Sequence, residues 1–177
     1  MKLYVTRHGQ TDGNLNRIMD GIRDIELNEE GIKQANQTKD KLKDVFFDLI
    51  ICSPLTRTRQ TMEIINVNNS PVIYDERIIE RDCGEFMGQS FDSVNREAFW
   101  NYYDKTVYQK VESIQNLFDR VHGFLDEIKE KYKDKTILLV THKGVTRAIN
   151  CYFDGIPEDG NLENIGFSNC EVKIYEL

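Results

Sequence analysis

The sequence predicts an α/β fold in which a mostly parallel sheet is sandwiched by helices. Three observations predict it. Short, continuous apolar runs rich in β-branched residues recur along the chain, among them "DLIIC" and "TILLVT", and such runs suit strands buried on both faces of a parallel sheet. Segments with apolar residues at helical spacing lie between those runs. The two kinds of segment alternate, which is the pattern of an α/β domain.

The elements follow in order. The first strand is "LYV" at 3–5. A helix then runs from an Asn28 cap to about Phe46, with Ile32, Ala35, Leu42 and Val45 on one side. "DLIIC" at 48–52 is the second strong strand. Ser53-Pro54 reads as a helix start, serine as the cap and proline in the first helical position, and Thr58, Met62 and Ile65 carry that helix on. "PVIYD" at 71–75 is a shorter strand candidate. The clearest helix runs from Val111 to about Lys133. Its apolar residues Val111, Ile114, Phe118, Val121, Leu125, Ile128 and Tyr132 recur at alternating three- and four-residue steps. After the strand "TILLVT" at 136–141, a last helix from Lys143 to Tyr152 turns Val145, Ala148 and Ile149 inward. The alternating "CEVKIYEL" at 170–177 suits an edge strand.

The 177 residues read as a single domain covering 1–177. A chain of this size buries about 70% of the surface its unfolded form exposes. Apolar residues at 40% and charged residues at 30% are the proportions of an ordinary soluble globular protein. No apolar run approaches the roughly 18 residues of a membrane helix, so no membrane partner is expected. Arg7 and His8 follow only a short apolar run, which leaves no secretory h-region, and the expected location is cytoplasmic. The net charge of -7 argues against a nucleic-acid partner. It leaves room for a small anion, because a few arginines in one cleft make a local positive field. Cys52, Cys83, Cys151 and Cys170 form no C-x-x-C pair and read as reduced, structural thiols.

The chemistry lies where the strong strands end. "LYVT" is followed by Arg7-His8-Gly9, "LIICS" by Pro54-Leu55-Thr56-Arg57, and "ILLVT" by His142-Lys143-Gly144. Parallel strands put all three endings at one edge of the sheet, where ligands of α/β proteins bind. Arg7, His8, Arg57 and His142 then meet near helix N-termini. Two guanidinium forks bind a phosphoryl group bidentately, and helix-start N–H groups add donors. One imidazole can attack phosphorus, and the other can stabilise the charge that develops on its oxygens. A proton donor is still required, and "DERIIERDCGEFMG" offers Glu76, Glu80, Asp82 and Glu85 without choosing among them. No metal-ligating pattern is evident, since the chain has only three histidines and no H-x-x-x-H pair.

"TRHGQTDGN", "SPLTRTRQT", "IIERDCGEFMG" and "VTHKG", in that order, resemble the histidine phosphatase superfamily, also called the phosphoglycerate mutase-like family. The likeness extends over nearly the whole chain, including "GIRDIELNEEGIKQA" from Gly21 to Ala35. It implies a three-layer α/β/α sandwich. It implies His8 as a nucleophile passing through phosphohistidine, Glu80 as proton donor, and Arg7, Arg57 and His142 as the phosphate pocket. Thr11, Asn14 and Gly21 match positions that line the pocket and bind substrate. No cofactor or metal is implied.

Two features depart from the family's pattern. Lys143 stands where a small residue is usual, and residues 89–110 carry only Arg96, Lys105 and Lys110 as positive charges. The second departure favours a phosphomonoesterase acting on a small phosphate ester over a phosphoglycerate mutase. A non-catalytic phosphate-binding module on the same fold is the reading from another class. Lys143, a cation at a helix start, reads as an anion-holding group at the pocket rim or as a solvated side chain. "FWNYYDKTVY" at 99–108 reads as a pocket wall or lid, or as core. His122 reads as structural or solvated, and Arg59 as solvated. The sequence does not fix the substrate or the oligomeric state.

Overall fold

Five strands build one sheet in a computed structural model that describes residues 1–177. They are β1 (Lys2–Arg7), β2 (Leu49–Cys52), β3 (Val72–Tyr74), β4 (Thr136–Thr141) and β5 (Val172–Glu176). The spatial order is β3-β2-β4-β1-β5. β1, β2, β3 and β4 are mutually parallel, and β5 runs antiparallel along the β1 edge. The alternating pattern at the C-terminus is therefore an edge strand, as expected.

Six helices accompany the sheet: α1 (Asp12–Leu15), α2 (Glu29–Leu42), α3 (Thr56–Ile65), α4 (Arg96–Phe99), α5 (Ile114–Lys131) and α6 (Lys143–Asp154). Successive strand residues point to opposite faces, and each face has its own helices. Leu3, Val5, Ile51, Ile137 and Leu139 pack with α5 and α6 residues such as Phe118, Val121, Leu125, Val145 and Ile149. Tyr4, Ile50, Cys52, Leu138 and Val140 pack with Leu42 of α2 and Met62 and Ile65 of α3. The result is a three-layer α/β/α sandwich. Each fully buried Leu, Ile or Val contributes about 1.5–3 kcal/mol, so the central strands anchor whatever follows them. No helix is long and apolar enough to cross a membrane. All four cysteines are buried and unpaired.

Several boundaries differ from the sequence reading, each for a tertiary reason. α2 stops at Leu42, short of Phe46, and the Nδ2 of Asn68 takes up the Lys43 and Val45 carbonyls just beyond it. Phe46 is then 77% exposed, and Ile32, expected on the apolar side, is also exposed. α5 starts at Ile114 behind a Ser113 cap, not at Val111, because the Glu112 N–H is committed to the Asp82 carbonyl. Ser53 does not cap α3, which begins at Thr56. The cap comes from Asp24, whose carboxylate accepts from the Thr56 N–H at 2.6 Å and the Thr56 hydroxyl at 2.9 Å. α1 and α4 were not anticipated; each is a single turn capped by its own side chain, Thr11 and Asn95 respectively.

Candidate active site

The ladder aligns the three strand ends. Arg7 pairs with Thr141 in register, the His8 N–H donates to the Thr141 carbonyl, and the Ser53 N–H donates to the Val140 carbonyl. The residues after β1, β2 and β4 therefore leave the sheet side by side. Gly9 is required by what comes next. A Cβ there would lie 2.5 Å from the Gly31 carbonyl oxygen, so only glycine lets this turn seat against α2.

His8 and His142 face each other with ring centroids 5.2 Å apart. The backbone sets the proton on His8. Its Nδ1 lies 2.7 Å from the Gly9 carbonyl, which can only accept, so Nδ1 carries the hydrogen and Nε2 presents a lone pair. That Nε2 accepts from Arg57 Nε at 3.3 Å. On His142 the Nε2 lies 2.7 Å from the Ser53 hydroxyl. The hydroxyl proton has no other acceptor there, so it is donated to Nε2. Nδ1 then keeps its hydrogen, buried and without a protein partner. A buried donor left unsatisfied costs about 1–3 kcal/mol. Burial first, then the Arg57 charge, holds both rings well below the ordinary 6.5, so both are neutral near pH 7.

Two arginines flank the rings. Arg57 is buried, with Nη1 on the Arg23 carbonyl and Nη2 on the Gly21 carbonyl, both at 2.7 Å. Arg7 donates from Nη1 to the Phe167 carbonyl at 3.2 Å, while its Nε is buried and partnerless. Burial pushes Arg7 down to about 10, so it is still cationic at neutral pH.

Glu80 enters from the loop after β3. The Thr141 hydroxyl binds the Ile78 carbonyl, and Arg120 reaches the Glu80 carbonyl. The carboxylate accepts from the Arg81 N–H at 2.8 Å and from the Gly144 N–H at the start of α6. A carboxylate at a helix N-terminus is favoured by the helix dipole. Of the four acids the sequence left open in this loop, Glu80 alone lines the central cavity. Asp82 instead caps the Gly84 N–H, and Glu85 holds the Gln109 N–H.

The cavity measures about 220 Å³ and is lined by Arg7, His8, Asn14, Gly21, Arg57, Glu80 and Lys143 among others. Seven of the nine residues singled out in the sequence thus share one wall system. His142 lies just beneath it, fully buried against His8. Thr11 sits below Asn14, where its hydroxyl caps α1 by accepting from the Asn14 N–H, and it does not line the cavity. Asn14 is held by the Thr11 N–H and by Asn169, which also donates to the His8 carbonyl. The stretch 99–108 divides: Phe99 and Trp100 are buried and wall the cavity, whereas Tyr103 and Val107 are exposed. His122 is structural, bonded to the Ala148 carbonyl, and Arg59 is solvent-facing beside Thr56.

Sequence reasoning missed Asp20, Arg147, Asn169 and the Ser53 contact. Arg147 had a usable signal, because it lies one helical turn beyond Lys143. Asn169 is 155 positions from its Asn14 partner and had none. Asp20 adds a largely buried carboxylate near Arg57, and burial raises its pKa above the usual range.

Known proteins resemble this chain over nearly its whole length. A Bacillus subtilis protein called uncharacterized phosphatase PhoE is 34% identical over 94% of this chain and 86% of its own length. Phosphoserine phosphatase 1 of Hydrogenobacter thermophilus is 33% identical over 100% of this chain and 85% of its own. The solved structure of Bacillus stearothermophilus YhfR superposes with a TM-score of 0.88 at 27% identity, covering 99% of this chain and 91% of that one. With the histidine phosphatase superfamily (branch 1) model matching residues 3–177, the paired imidazoles at one sheet edge belong to a member of that superfamily.

Proposed function

We propose that this chain is a phosphomonoesterase that hydrolyses small phosphate esters through a phosphohistidine on His8. The observation that carries the reading is the tautomer of His8: Nδ1 is tied to the Gly9 carbonyl, so Nε2 holds the lone pair, with only a long 3.3 Å contact from Arg57 Nε upon it, and His8 lines the same cavity as Arg7, Arg57 and Glu80. The names of the relatives support phosphatase activity.

In the first step Nε2 of neutral His8 forms a bond to phosphorus, the bond to the leaving oxygen breaks, and Glu80, which must enter this step protonated, gives its proton to that oxygen and becomes the carboxylate that the start of α6 favours. Arg7, Arg57 and the Nδ1–H of His142 hold the three non-bridging oxygens as charge builds. In the second step Glu80, now a carboxylate, takes a proton from water as its oxygen attacks phosphorus. The nitrogen–phosphorus bond breaks and His8 is restored. Return of the phosphoryl group to a second ester oxygen would make the same site a mutase. The small number of cations between residues 89 and 110 favours water as acceptor, because Arg96 is the one of the three that lines the cavity, and it is paired with Glu163.

The test is hydrolysis of an aryl phosphate by the native protein and by His8→Ala. Loss of at least about a thousandfold in kcat is expected for removal of a nucleophile. Equal rates in the two proteins would refute the mechanism, and absence of an acid-labile phosphoryl label on the native protein during turnover would refute the intermediate.

A further inference from the structure

β5 runs antiparallel to β1, so its beginning lies beside the end of β1, with Val172 opposite Thr6 in register. The residues leading into β5 therefore meet the residues leaving β1. The Phe167 carbonyl accepts from Arg7 Nη1 at 3.2 Å, and the Cys170 N–H donates to the Arg7 carbonyl at 3.0 Å. Between them Asn169 Nδ2 donates twice, to the His8 carbonyl and to Asn14 Oδ1, both at 3.0 Å. Cys170 holds this turn with φ at 56°, in the left-handed region that residues other than glycine seldom adopt. Its carbonyl is also tied, to the Thr38 hydroxyl at 3.1 Å, and such a conformation persists only where the surroundings over-determine it.

The bonds of Asn169 fix two amides in sequence. A backbone carbonyl can only accept, so the Asn169 group on the His8 carbonyl is its NH2, and that amide cannot turn over. The second hydrogen of the same NH2 then requires an acceptor on Asn14, which is Oδ1. The Thr11 N–H donates to that oxygen too, at 3.3 Å. With Oδ1 held twice, the other end of the Asn14 amide is left to the cavity that Asn14 lines. Its Nδ2 makes no hydrogen bond within the protein and is not sealed in the interior. Turning this amide over would set its NH2 against two donors and offer the cavity an oxygen, which repels an anion.

We propose that Asn169 is a positioning residue of the phosphate pocket, orienting the Asn14 amide so that Nδ2 donates to a phosphoryl oxygen. The proposal rests on the phosphomonoesterase reading above. Asn169 itself touches no substrate, and its effect on phosphate passes through Asn14. The same NH2 group steadies the nucleophile's backbone: the His8–Gly9 peptide is held at its carbonyl by Asn169 and at its N–H by the Thr61 hydroxyl, 3.0 Å away.

Titration calorimetry with inorganic phosphate tests this without calling on catalysis. Asn14→Leu should weaken phosphate binding by about tenfold or more, the scale of one charge-assisted hydrogen bond. Asn169→Leu keeps the shape and removes both donors. It should weaken binding by about three- to tenfold, less than Asn14→Leu because the Thr11 N–H still holds Oδ1. In the Asn14→Leu/Asn169→Leu double variant the second change should add no more than about twofold, the signature of two residues acting through one contact. Melting curves confirm that each variant is folded, and Asn169→Ala takes the place of Asn169→Leu if that variant is not. Unchanged phosphate affinity in the Asn169 variant overturns the proposal. So do losses that multiply in the double variant, which would mark a general loosening of the turn, and so does full affinity in Asn14→Leu. The aryl phosphate assay of His8→Ala is independent of these titrations, so a wrong role for Asn169 and a missing phosphatase are told apart.

Discussion

The Gly144 N–H donates to both carboxylate oxygens of Glu80, at 3.1 and 3.2 Å. A Cβ at position 144 would stand 2.2 Å from Oε1 and 3.1 Å from the Trp100 ring, so this contact needs a glycine in the first turn of α6. The helix N-terminus and the candidate proton donor thus fix each other.

Gly144→Ala should therefore act on chemistry more than on binding. A displacement of Glu80 by about 1 Å predicts a loss of about a hundredfold in kcat. The inhibition constant for inorganic phosphate should change little, because the cationic groups are not moved. Steady-state kinetics with phosphate inhibition separates the two. A larger effect on phosphate affinity than on kcat would contradict the assignment of Glu80 as the acid.

Ser53→Ala removes the hydroxyl that lies 2.7 Å from His142 Nε2. The ring then loses the partner that keeps its proton on Nδ1. The expected result is a weaker inhibition constant for phosphate by about three- to tenfold and a stability loss of about 1 kcal/mol, the usual cost of one buried hydrogen bond. Thermal melts and phosphate inhibition measure both. Unchanged phosphate affinity would show that the Nδ1–H of His142 is not a phosphate donor.

His8 and His142 make stability depend on pH near neutrality. Their folded pKa values lie well below 6.5. Below that pH the unfolded chain binds protons that the folded chain refuses, so stability falls as the pH drops through 6.5 towards the folded values. The melting temperature should decline from about pH 7.5 to about 5.5, and the decline should be shallower in a His8→Asn/His142→Gln double variant. Parallel curves would mean the rings titrate normally.

Asp24 makes the opposite kind of contribution, in a lower window. Its hydrogen bonds from the backbone N–H and then the hydroxyl of Thr56 depress its pKa below 3.8. Its stabilisation is fully present above that unfolded value and is lost as the pH falls through the folded one. Asp24→Ala should cost about 0.5–1 kcal/mol at pH 7, as for a lost helix cap, with solvent screening keeping it small. The difference from the native protein should vanish in strong acid. A difference that persists there would assign the loss to something other than the carboxylate charge.

How much of the site was legible follows from how each part is specified. Arg7, His8, Arg57 and His142 could be found because each follows a strand whose apolar run marks it as buried. Parallel strands of one sheet end at one edge, so residues after them must meet. The α/β architecture and the edge position of β5 were legible for the same reason, since side-chain period and burial are written locally.

Helix ends and protonation states were not local. Ser53 reads as a cap but spends its hydroxyl on His142 across the site, 89 positions away, while α3 takes its cap from Asp24. Phe46 reads as helical, yet Asn68 takes up the carbonyls beyond the end of α2. The sequence by itself determined which strands are buried and which cationic and imidazole residues must gather at their ends. The tertiary structure alone decided which ring nitrogen carries the proton, which of four nearby acids faces the cavity, and which cations are left without partners. The physical reason is that burial is set by the periodicity of adjacent residues. A hydrogen-bond partner is set by angles and distances of a few tenths of an ångström between segments that meet only when the whole chain has folded.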